Sequence, residues 1–463
     1  MTTGTAVVPA GSHGQDGIRP SRGTAVLAVV CVANFLVMAD ATIVNVALPS
    51  IQRALRLSQL GLPWVVNSYT LTFGALLLLG GYAADRFGPR RVFTLGMAGF
   101  ALGSLVCGLA GAGQVLMAGR MLQGAGGALG CPAALAVVTL AFPTAAGRAR
   151  ALAGWSAAGA GAIALGPMLG GVLTGVFGWA AVFLLPVPLC VGAAAAGWRL
   201  LPGTTRRRAP GADRSCPDSV DKFPVRRLLG ADLVLALTSA ALVGAGYSCT
   251  LWIQNLLHYG PVQAGAAFLP LSLGILAGAG AAPGLIRRFG LRATAFGGLV
   301  VAMAGMAPLS RLPLDAGLPA LLPWLGVLAF GFGVQSVPIS VIATAVRGHE
   351  AVASAVYQTA GQFGGGAGLA VLAGLAAART AASHAPRPVA LAAGYDVAFA
   401  GGAVALALAA VVVLLLIPGE RPLRPVGPAA PQGGGSGAAA DSGAVTDPGA
   451  AAGAGVTGAA SAG

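Results

Sequence analysis

The chain contains the same short turn twice. Residues 85–92 read DRFGPRRV and residues 287–292 read RRFGLR, and each stretch lies between two long apolar segments. Glycine permits a tight turn at Gly88 and at Gly290, and the arginines keep both turns out of a hydrocarbon phase. A duplicated membrane bundle accounts for the repeat and for its apolar surroundings. Many transporters are built from internal repeats of this kind.

The composition excludes a water-soluble globule. Only 9% of the 463 residues are charged and 56% are hydrophobic, whereas a soluble domain carries about 25% charged residues. The six cysteines show no paired spacing, and no phosphate-binding loop or nucleophile constellation occurs, so we expect no metal, no cofactor and no enzyme. The formal net charge of +14 does not indicate nucleic acid binding, because the arginines lie in short turns between apolar segments.

Twelve apolar segments are long enough to span a bilayer, which takes about 20 residues for each helix. The predicted fold class is therefore an all-α membrane protein with a pseudo-two-fold 6+6 helix bundle, whose first helix covers residues 24–48. Most basic residues lie on the side of the two repeated turns, which predicts that this side and both termini are cytoplasmic. The predicted organisation is a disordered tail at 1–23, a six-helix bundle at 24–200, a cytoplasmic linker at 201–229, a second six-helix bundle at 230–417 and a disordered tail at 418–463.

Asp40 and Arg120 are the two charged residues that we expect well within a span. A carboxylate there costs about 2.5–3.5 kcal/mol on insertion scales, which makes Asp40 a functional candidate. Helix geometry places Asp40 and Arg120 at a similar depth, so we expect them to pair directly or through Gln123, one helical turn from Arg120. Three other acidic residues are expected at helix ends or in an outside loop, namely Asp232, Asp315 and Asp396.

Two interpretations of this pair remain open. A static ion pair would only fix the packing of the first and fourth helices. Alternatively, Asp40 carries a proton, because burial favours the neutral form of a carboxylate whereas a nearby cation favours its charged form. The second interpretation predicts that Asp40, Arg120 and Gln123 couple proton movement to transport.

Seven further polar residues are expected to line a substrate cavity that is polar but almost uncharged. Each of them taken singly is equally typical of a hydrogen bond between helices. The seven are Asn34, Asn67, Tyr69, Gln254, Gln335, Tyr357 and Gln358.

The fifth apolar segment carries Gly166-Pro167 followed by Gly170-Gly171. Small residues at this spacing let helices approach closely, and Pro167 removes a backbone donor. Ordinary packing is the alternative explanation in a chain that has 73 glycines.

With these residues in view, the chain resembles the major facilitator superfamily over about residues 24–417, and in particular its drug:proton antiporter branch. Residues 40–49 (DATIVNVALP) resemble the branch's helix-1 signature, residues 120–124 (RMLQG) the helix-4 motif tied to proton coupling, and residues 166–171 the helix-5 antiporter motif. Residues 81–91 resemble the superfamily's gating turn, and the positions that match it are Gly81, Asp85, Arg86, Gly88, Arg90 and Arg91.

The chain departs from that branch in two places. The branch usually has fourteen helices, two of them between its halves, whereas residues 201–229 are too few and too charged for two spans. The usual Trp-Arg-Trp before helix 6 is here Trp179-Ala-Ala, and Pro186 stands in place of the usual Asn.

The resemblance implies a monomeric antiporter of the cell membrane that exports drug-like or secondary-metabolite molecules, as in multidrug efflux and antibiotic resistance. It would be driven by the proton gradient rather than by a cofactor, and its partners would be the small molecule, protons and membrane lipid. A proton-coupled nutrient symporter is the first alternative, and a non-transporting membrane sensor is the second. The Gly-Pro cluster favours export.

Overall fold

The computed structural model describes residues 20–142, 144–201, 225–314, 316–344 and 350–417. The regular structure of this described part is entirely helical, and a π-helical turn, Trp252–Leu256, continues the eighth helix. The helices are α1 (Pro20–Leu55), α2 (Pro63–Phe87), α3 (Pro89–Gly108), α4 (Gly113–Ala141), α5 (Ala145–Phe177), α6 (Ala180–Leu184), α7 (Pro186–Leu200), α8 (Val225–Leu251), α9 (Pro261–Ala267), α10 (Leu269–Phe289), α11 (Leu291–Leu309), α12 (Leu318–Thr344), α13 (Glu350–Ala381) and α14 (Arg387–Leu416).

Within the described residues, 12 helical segments are long and apolar enough to cross a bilayer, which confirms the predicted number. The helices α6 and α7 form one of these segments, Ala180–Leu200, and α9 and α10 form another, Pro261–Phe289. The π-helical turn lengthens α8 into the segment Arg226–Leu256. The all-α membrane fold expected from the sequence is therefore confirmed.

A glycine defines both copies of the repeated turn. Gly88 ends α2 with φ 90°, and Pro89 is the first residue of α3. Gly290 separates α10 from α11 in the same way, with φ 83°. A positive φ carries no steric penalty for glycine, which explains why both copies of the turn have one. We call this end of the bundle the repeat-turn end, and the opposite end, where α1 stops at Leu55, the far end.

The repeat also appears in how the helices pack. A Cβ atom added to Gly103 of α3 would lie 2.6 Å from the backbone nitrogen of Gln123 in α4. In the second half, a Cβ added to Gly298 of α11 would lie 2.7 Å from the backbone nitrogen of Gln335 in α12. Only glycine permits such an approach, so Gln123 and Gln335 occupy equivalent positions in the two halves.

The two halves meet through α2 and α13 and through α5 and α9. A Cβ atom added to Gly171 would lie 3.2 Å from the Cα of Gly265, and the reverse distance is also 3.2 Å. Nearer the far end, the Gln254 Nε2 donates a hydrogen bond to the Val46 carbonyl at 2.8 Å, which joins the π-helical turn to α1. These contacts close the bundle below its far end.

Helix boundaries differ from the prediction in two informative places. The first helix continues through Pro49 to Leu55, because Leu48 and Ile51 are fully buried and their packing offsets the missing backbone donor. The last helix begins at Arg387 with Pro386 as its N-cap, so Asp396 lies well inside α14 rather than at a helix end.

The expectation that Asp40 is the one acidic residue well within a span is therefore wrong. Asp396 lies inside the span Arg387–Leu416 and Asp232 inside the span Arg226–Leu256. Asp315 lies outside the described residues, as do most of the predicted tails and the predicted linker. The described residues nearest to the predicted N-terminal tail and linker are helical. The helix α1 begins at Pro20 and α8 begins at Val225, a few residues before the predicted starts of the two bundles at 24 and 230.

Candidate functional site

A buried ion pair joins α1 to α4. The Asp40 Oδ2 accepts a hydrogen bond from the Arg120 Nη1, and both side chains are 0% exposed. Two opposite charges placed in a low-dielectric interior attract strongly, and removing one partner would leave the other buried and uncompensated. The structure thus brings together the two charged residues that the sequence placed at a similar depth.

Gln123 provides a second link between the same two side chains. Its Nε2 donates to the Asp40 Oδ1 at 3.1 Å and to the Ser104 Oγ of α3 at 2.8 Å. Its Oε1 accepts a hydrogen bond from the Arg120 Nη1 at 2.9 Å. Asp40 and Arg120 therefore pair both directly and through Gln123, which is itself fully buried.

Arg120 has further contacts that do not depend on Asp40. Its Nε donates to the Val65 carbonyl of α2 at 3.0 Å. Its guanidinium carbon lies 4.4 Å from the centroid of the Tyr69 ring and 5.8 Å from that of Phe183, so two aromatic faces also stabilise the charge. The guanidinium consequently keeps favourable partners if the carboxylate becomes neutral.

Tyr69 belongs to the charged cluster that is formed by Asp40, Arg120 and their contacts, rather than to an open cavity. Its hydroxyl donates to the Val37 carbonyl at 3.0 Å, and the residue is only 2% exposed. Sequence reasoning missed several members of the cluster, among them Ser104, the carbonyl of Val65 and the ring of Phe183. A serine in an apolar segment was a weak signal for the first, whereas a backbone acceptor leaves no trace in the sequence.

The gating-turn residues lie at the repeat-turn end. Arg90 stacks on Trp198, with its guanidinium carbon 4.6 Å from the ring, and thereby connects α3 to α7. Nothing lies within 4 Å of a Cβ added to Gly81, so packing in this structure does not require glycine there. The exposed members of the motif are Asp85, Arg86 and Arg91. No salt bridge between Asp85 and another described residue is present.

The small residues of α5 contact two different helices, α1 and α9. A Cβ atom on Gly166 would overlap the side chain of Thr42, and one on Gly170 would overlap the Ile43 carbonyl, both in α1. Gly171 instead faces α9, as described above, and the carbonyl of Pro167 lies against Gly265. The motif therefore holds α5 against its own half and against the other half at once.

The other residues that were expected to line a cavity are dispersed. The Asn34 Nδ2 donates to the Trp155 carbonyl at 2.9 Å and so joins α1 to α5. Asn67 and Gln335 are buried, and neither side chain has a hydrogen-bond partner among the described residues. Gln254 lies at the far end, Tyr357 is buried, and Gln358 is exposed. A shared cavity role for them stays a prediction.

A comparison with protein families decides the affiliation of the chain. The model of the Major Facilitator Superfamily matches residues 30–369. The chain belongs to the major facilitator superfamily. Members of this superfamily move small molecules across membranes. No group of three or more metal-ligating side chains occurs among the described residues of this chain.

Relatives of similar length are resistance and export proteins. The chain is 36% identical to the puromycin resistance protein pur8 of Streptomyces alboniger, over 89% of this chain and 93% of that protein. It is 32% identical to the cephamycin export protein CmcT of Amycolatopsis lactamdurans, over 86% of this chain and 93% of that protein. It is also 29% identical to the tetracenomycin C resistance and export protein of Streptomyces glaucescens, over 82% and 81% of the two chains.

A solved structure shares the fold. The crystal structure of a bacterial homologue of the human lysosomal transporter Spinster, inward-facing and unoccupied, matches with a TM-score of 0.71. The match covers 86% of this chain and 97% of that one at 16% sequence identity, so it supports the fold alone.

Proposed function

We propose that this membrane transporter exports drug-like or secondary-metabolite molecules in exchange for protons. Its relatives include proteins named for puromycin resistance, cephamycin export and tetracenomycin C export, and these alignments span most of each chain. The cargo is a small molecule, and the chain acts as a monomer in the cytoplasmic membrane.

The orientation is part of the proposal. The repeat-turn end faces the cytoplasm together with both termini, because basic residues are concentrated on that side. The far end then faces the exterior. Cysteines at Gln59, exposed at the far end, and at Arg287, exposed at the repeat-turn end, should react from opposite sides of the membrane with an impermeant reagent. Labelling of Arg287→Cys from outside intact cells would contradict this orientation.

The observation that carries proton coupling is the buried ion pair of Asp40 and Arg120. Protonation of Asp40 removes the charge that holds the pair together, while Arg120 keeps the Val65 carbonyl and the Tyr69 ring as partners. The cost of opening the pair is therefore lower than for an arginine with a single partner. Asp40 would take up a proton when the outside face opens and release it when the inside face opens.

This proton exchange becomes antiport if it is linked to the movement of the two halves. The structure has the halves in contact through Gly171 and Gly265 and through Gln254 and Val46. Asp40 lies on α1, the helix that also carries Val46 and against which Gly170 packs. A change in the charge of Asp40 therefore acts on α1, which itself takes part in the contacts between the two halves.

The test is cargo-driven proton movement in proteoliposomes, with wild type compared with Asp40→Asn. Asparagine keeps the shape of aspartate but cannot titrate, so the variant should lose proton movement while it still binds cargo. The matched control is Asp232→Asn, which removes a different carboxylate from within a span. If Asp40→Asn still exchanges protons for cargo at the wild-type ratio, Asp40 is a structural residue.

A further inference from the structure

A cavity of about 860 Å³ opens at the far end, between the end of α1, the π-helical turn and the start of α14. Its lining contains three arginines, Arg53, Arg56 and Arg387, together with His258. Neither Asp nor Glu occurs among the described residues that line it. We call this cavity the far-end vestibule, and its excess of positive charge makes it different from the nearly uncharged interior of the bundle.

Two of the basic residues adopt a backbone conformation that is unfavourable for them. Arg56 has φ 51° and His258 has φ 55°, and no other described residue except glycine has a positive φ. Glycine is the usual residue at such a position after a helix, because a Cβ atom is strained there. Arg56 follows α1 and His258 follows the π-helical turn that extends α8, so the same feature occurs at equivalent places in both halves.

Strained backbone positions are concentrated at ligand sites, where the gain lies in the placement of the side chain. Here both strained residues are basic, and both line the same cavity. The π-helical turn between them carries Gln254 and Asn255, which also line it, and irregular turns of this type are frequent at functional sites.

The hydrogen-bond donors of the vestibule are not equally occupied. The Gln254 Nε2 donates to the Val46 carbonyl, and the Asn255 Nδ2 donates to the Tyr395 hydroxyl at 3.3 Å. Arg53 is held by the Pro49 carbonyl at 3.2 Å. Neither Arg56 nor Arg387 forms a salt bridge with a described residue, so both guanidinium groups are available to a ligand. Such groups bind carboxylate, sulfonate and phosphate oxygens in a bidentate manner.

We propose that the far-end vestibule binds the anionic group of an amphipathic cargo on its way out. Apolar side chains of the same lining, Leu57, Leu256 and Leu391, provide a surface for the apolar part of that molecule. Gln254, whose hydrogen bond to Val46 joins the two halves, itself lines the vestibule, so a cargo leaving through an opened far end passes the arginines. The vestibule thus favours anionic cargo over permanently cationic cargo. The preference for anionic cargo rests on the proposed export function. The binding of anions in the vestibule does not depend on that function.

The local charge is measured first. A cysteine replaces Gln59 in the vestibule, and the purified protein in discs of zwitterionic lipid reacts with an anionic and with a cationic methanethiosulfonate. The modification of that one cysteine is followed by peptide mass spectrometry. Three positive charges lining the same cavity should raise the anionic-to-cationic rate ratio by at least about tenfold at low ionic strength, and salt should reduce the effect. Ala112→Cys, exposed in the loop between α3 and α4 outside the cavity, is the matched control.

The ratio at Gln59→Cys should fall to the value of the control when Arg53, Arg56 and Arg387 are all changed to Gln. Arg387→Gln alone, an exposed substitution, should lower it partly and guards against misfolding of the triple variant. A ratio that equals that of Ala112→Cys before any arginine is removed would overturn the proposal.

Binding is measured next with two dyes that share a xanthene ring, anionic carboxyfluorescein and cationic rhodamine 123, by fluorescence anisotropy. The anion should bind about tenfold more tightly, and the arginine substitutions should remove the difference. Equal or tighter binding of rhodamine 123 would overturn the anion site. Neither measurement needs a proton gradient, so failure of antiport with the expected labelling and binding would contradict only the export function.

Discussion

Gln123 and Gln335 occupy equivalent positions in the two halves, yet of the two only Gln123 has hydrogen-bond partners among the described residues. The backbone nitrogen of each lies against a glycine of the preceding long helix, Gly103 for the first and Gly298 for the second. The side chain of Gln123 bonds to Asp40, Arg120 and Ser104, whereas both polar atoms of Gln335 are unpaired among the described residues. The charged cluster therefore belongs to the first half, and the described part of the second half has an equivalent glutamine without such a cluster.

This difference predicts opposite outcomes for the same substitution. Gln123→Leu leaves the Asp40 Oδ1 and the Ser104 hydroxyl without a partner, which should destabilise the protein by about 1–3 kcal/mol. Gln335→Leu removes an amide that has no partner in the described part of the chain, so it should be neutral or stabilising. Thermal unfolding of both variants in one detergent measures the contrast. Equal losses would show that the two glutamines are structurally alike.

A second prediction concerns the ion pair itself. Arg120→Ala leaves the buried Asp40 carboxylate uncompensated and should cost about 3–5 kcal/mol of unfolding free energy. The double variant Asp40→Leu with Arg120→Met removes both charges and should be more stable than Arg120→Ala, but it should not transport. Denaturant unfolding and proteoliposome transport separate the two properties. A double variant that still exchanges protons for cargo would exclude this pair from coupling.

The meeting of Asp40 and Arg120 was predictable because each charge was expected well within a span and at a similar depth. The contribution of the Val65 carbonyl was not, since the choice of a backbone acceptor depends on how α2 rotates against α4. Tyr69 was recognised as a polar residue of the interior, but its ring lies under Arg120 and its hydroxyl is used by Val37. Side-chain polarity alone could not distinguish a residue that packs against Arg120 from a residue that lines a cargo cavity.

Asp396 shows where hydropathy alone was insufficient. The apolar run after residue 393 placed the helix start too late, although Pro386 and Pro388 flank Arg387 and prolines are typical of a helix N-terminus. With α14 beginning at Arg387, Asp396 becomes a residue within a span, and its Oδ1 has no hydrogen-bond partner among the described residues. The local start signal, rather than the hydropathy average, would have located this carboxylate.

A third prediction separates the two neighbours of α5. A Cβ atom on Gly171 would overlap the Pro261 carbonyl in the other half, so Gly171→Ala should push α5 away from α9. The far end should then open more often, and a cysteine at Leu256, which lines the vestibule, should react faster with an impermeant reagent. Gly161→Ala is the matched control, because nothing lies within 4 Å of a Cβ at that position. Unchanged labelling in Gly171→Ala would show that this contact does not hold the far end closed.

The last prediction uses a difference between the two copies of the repeated turn. The first copy has Asp85 where the second has Arg287, and both side chains are exposed in this structure. An acidic residue among arginines acquires a partner when helix ends at the repeat-turn end approach each other. Asp85 should therefore stabilise the state in which the far end is open and the repeat-turn end is closed. A charge-assisted hydrogen bond contributes about 1.5–3 kcal/mol, so its loss should lower the transport rate about tenfold or more.

Asp85→Asn keeps the size of the side chain and removes its charge, and Arg287→Gln makes the matched change in the second copy. Expression, membrane insertion and thermal stability should stay near wild type for both variants, because neither side chain is buried. Transport should fall mainly in Asp85→Asn, and labelling of a cysteine at Leu256 should decrease in that variant because the far end opens less often. Full transport by Asp85→Asn, or an equal loss in both variants, would contradict a specific role for this carboxylate in closing the repeat-turn end.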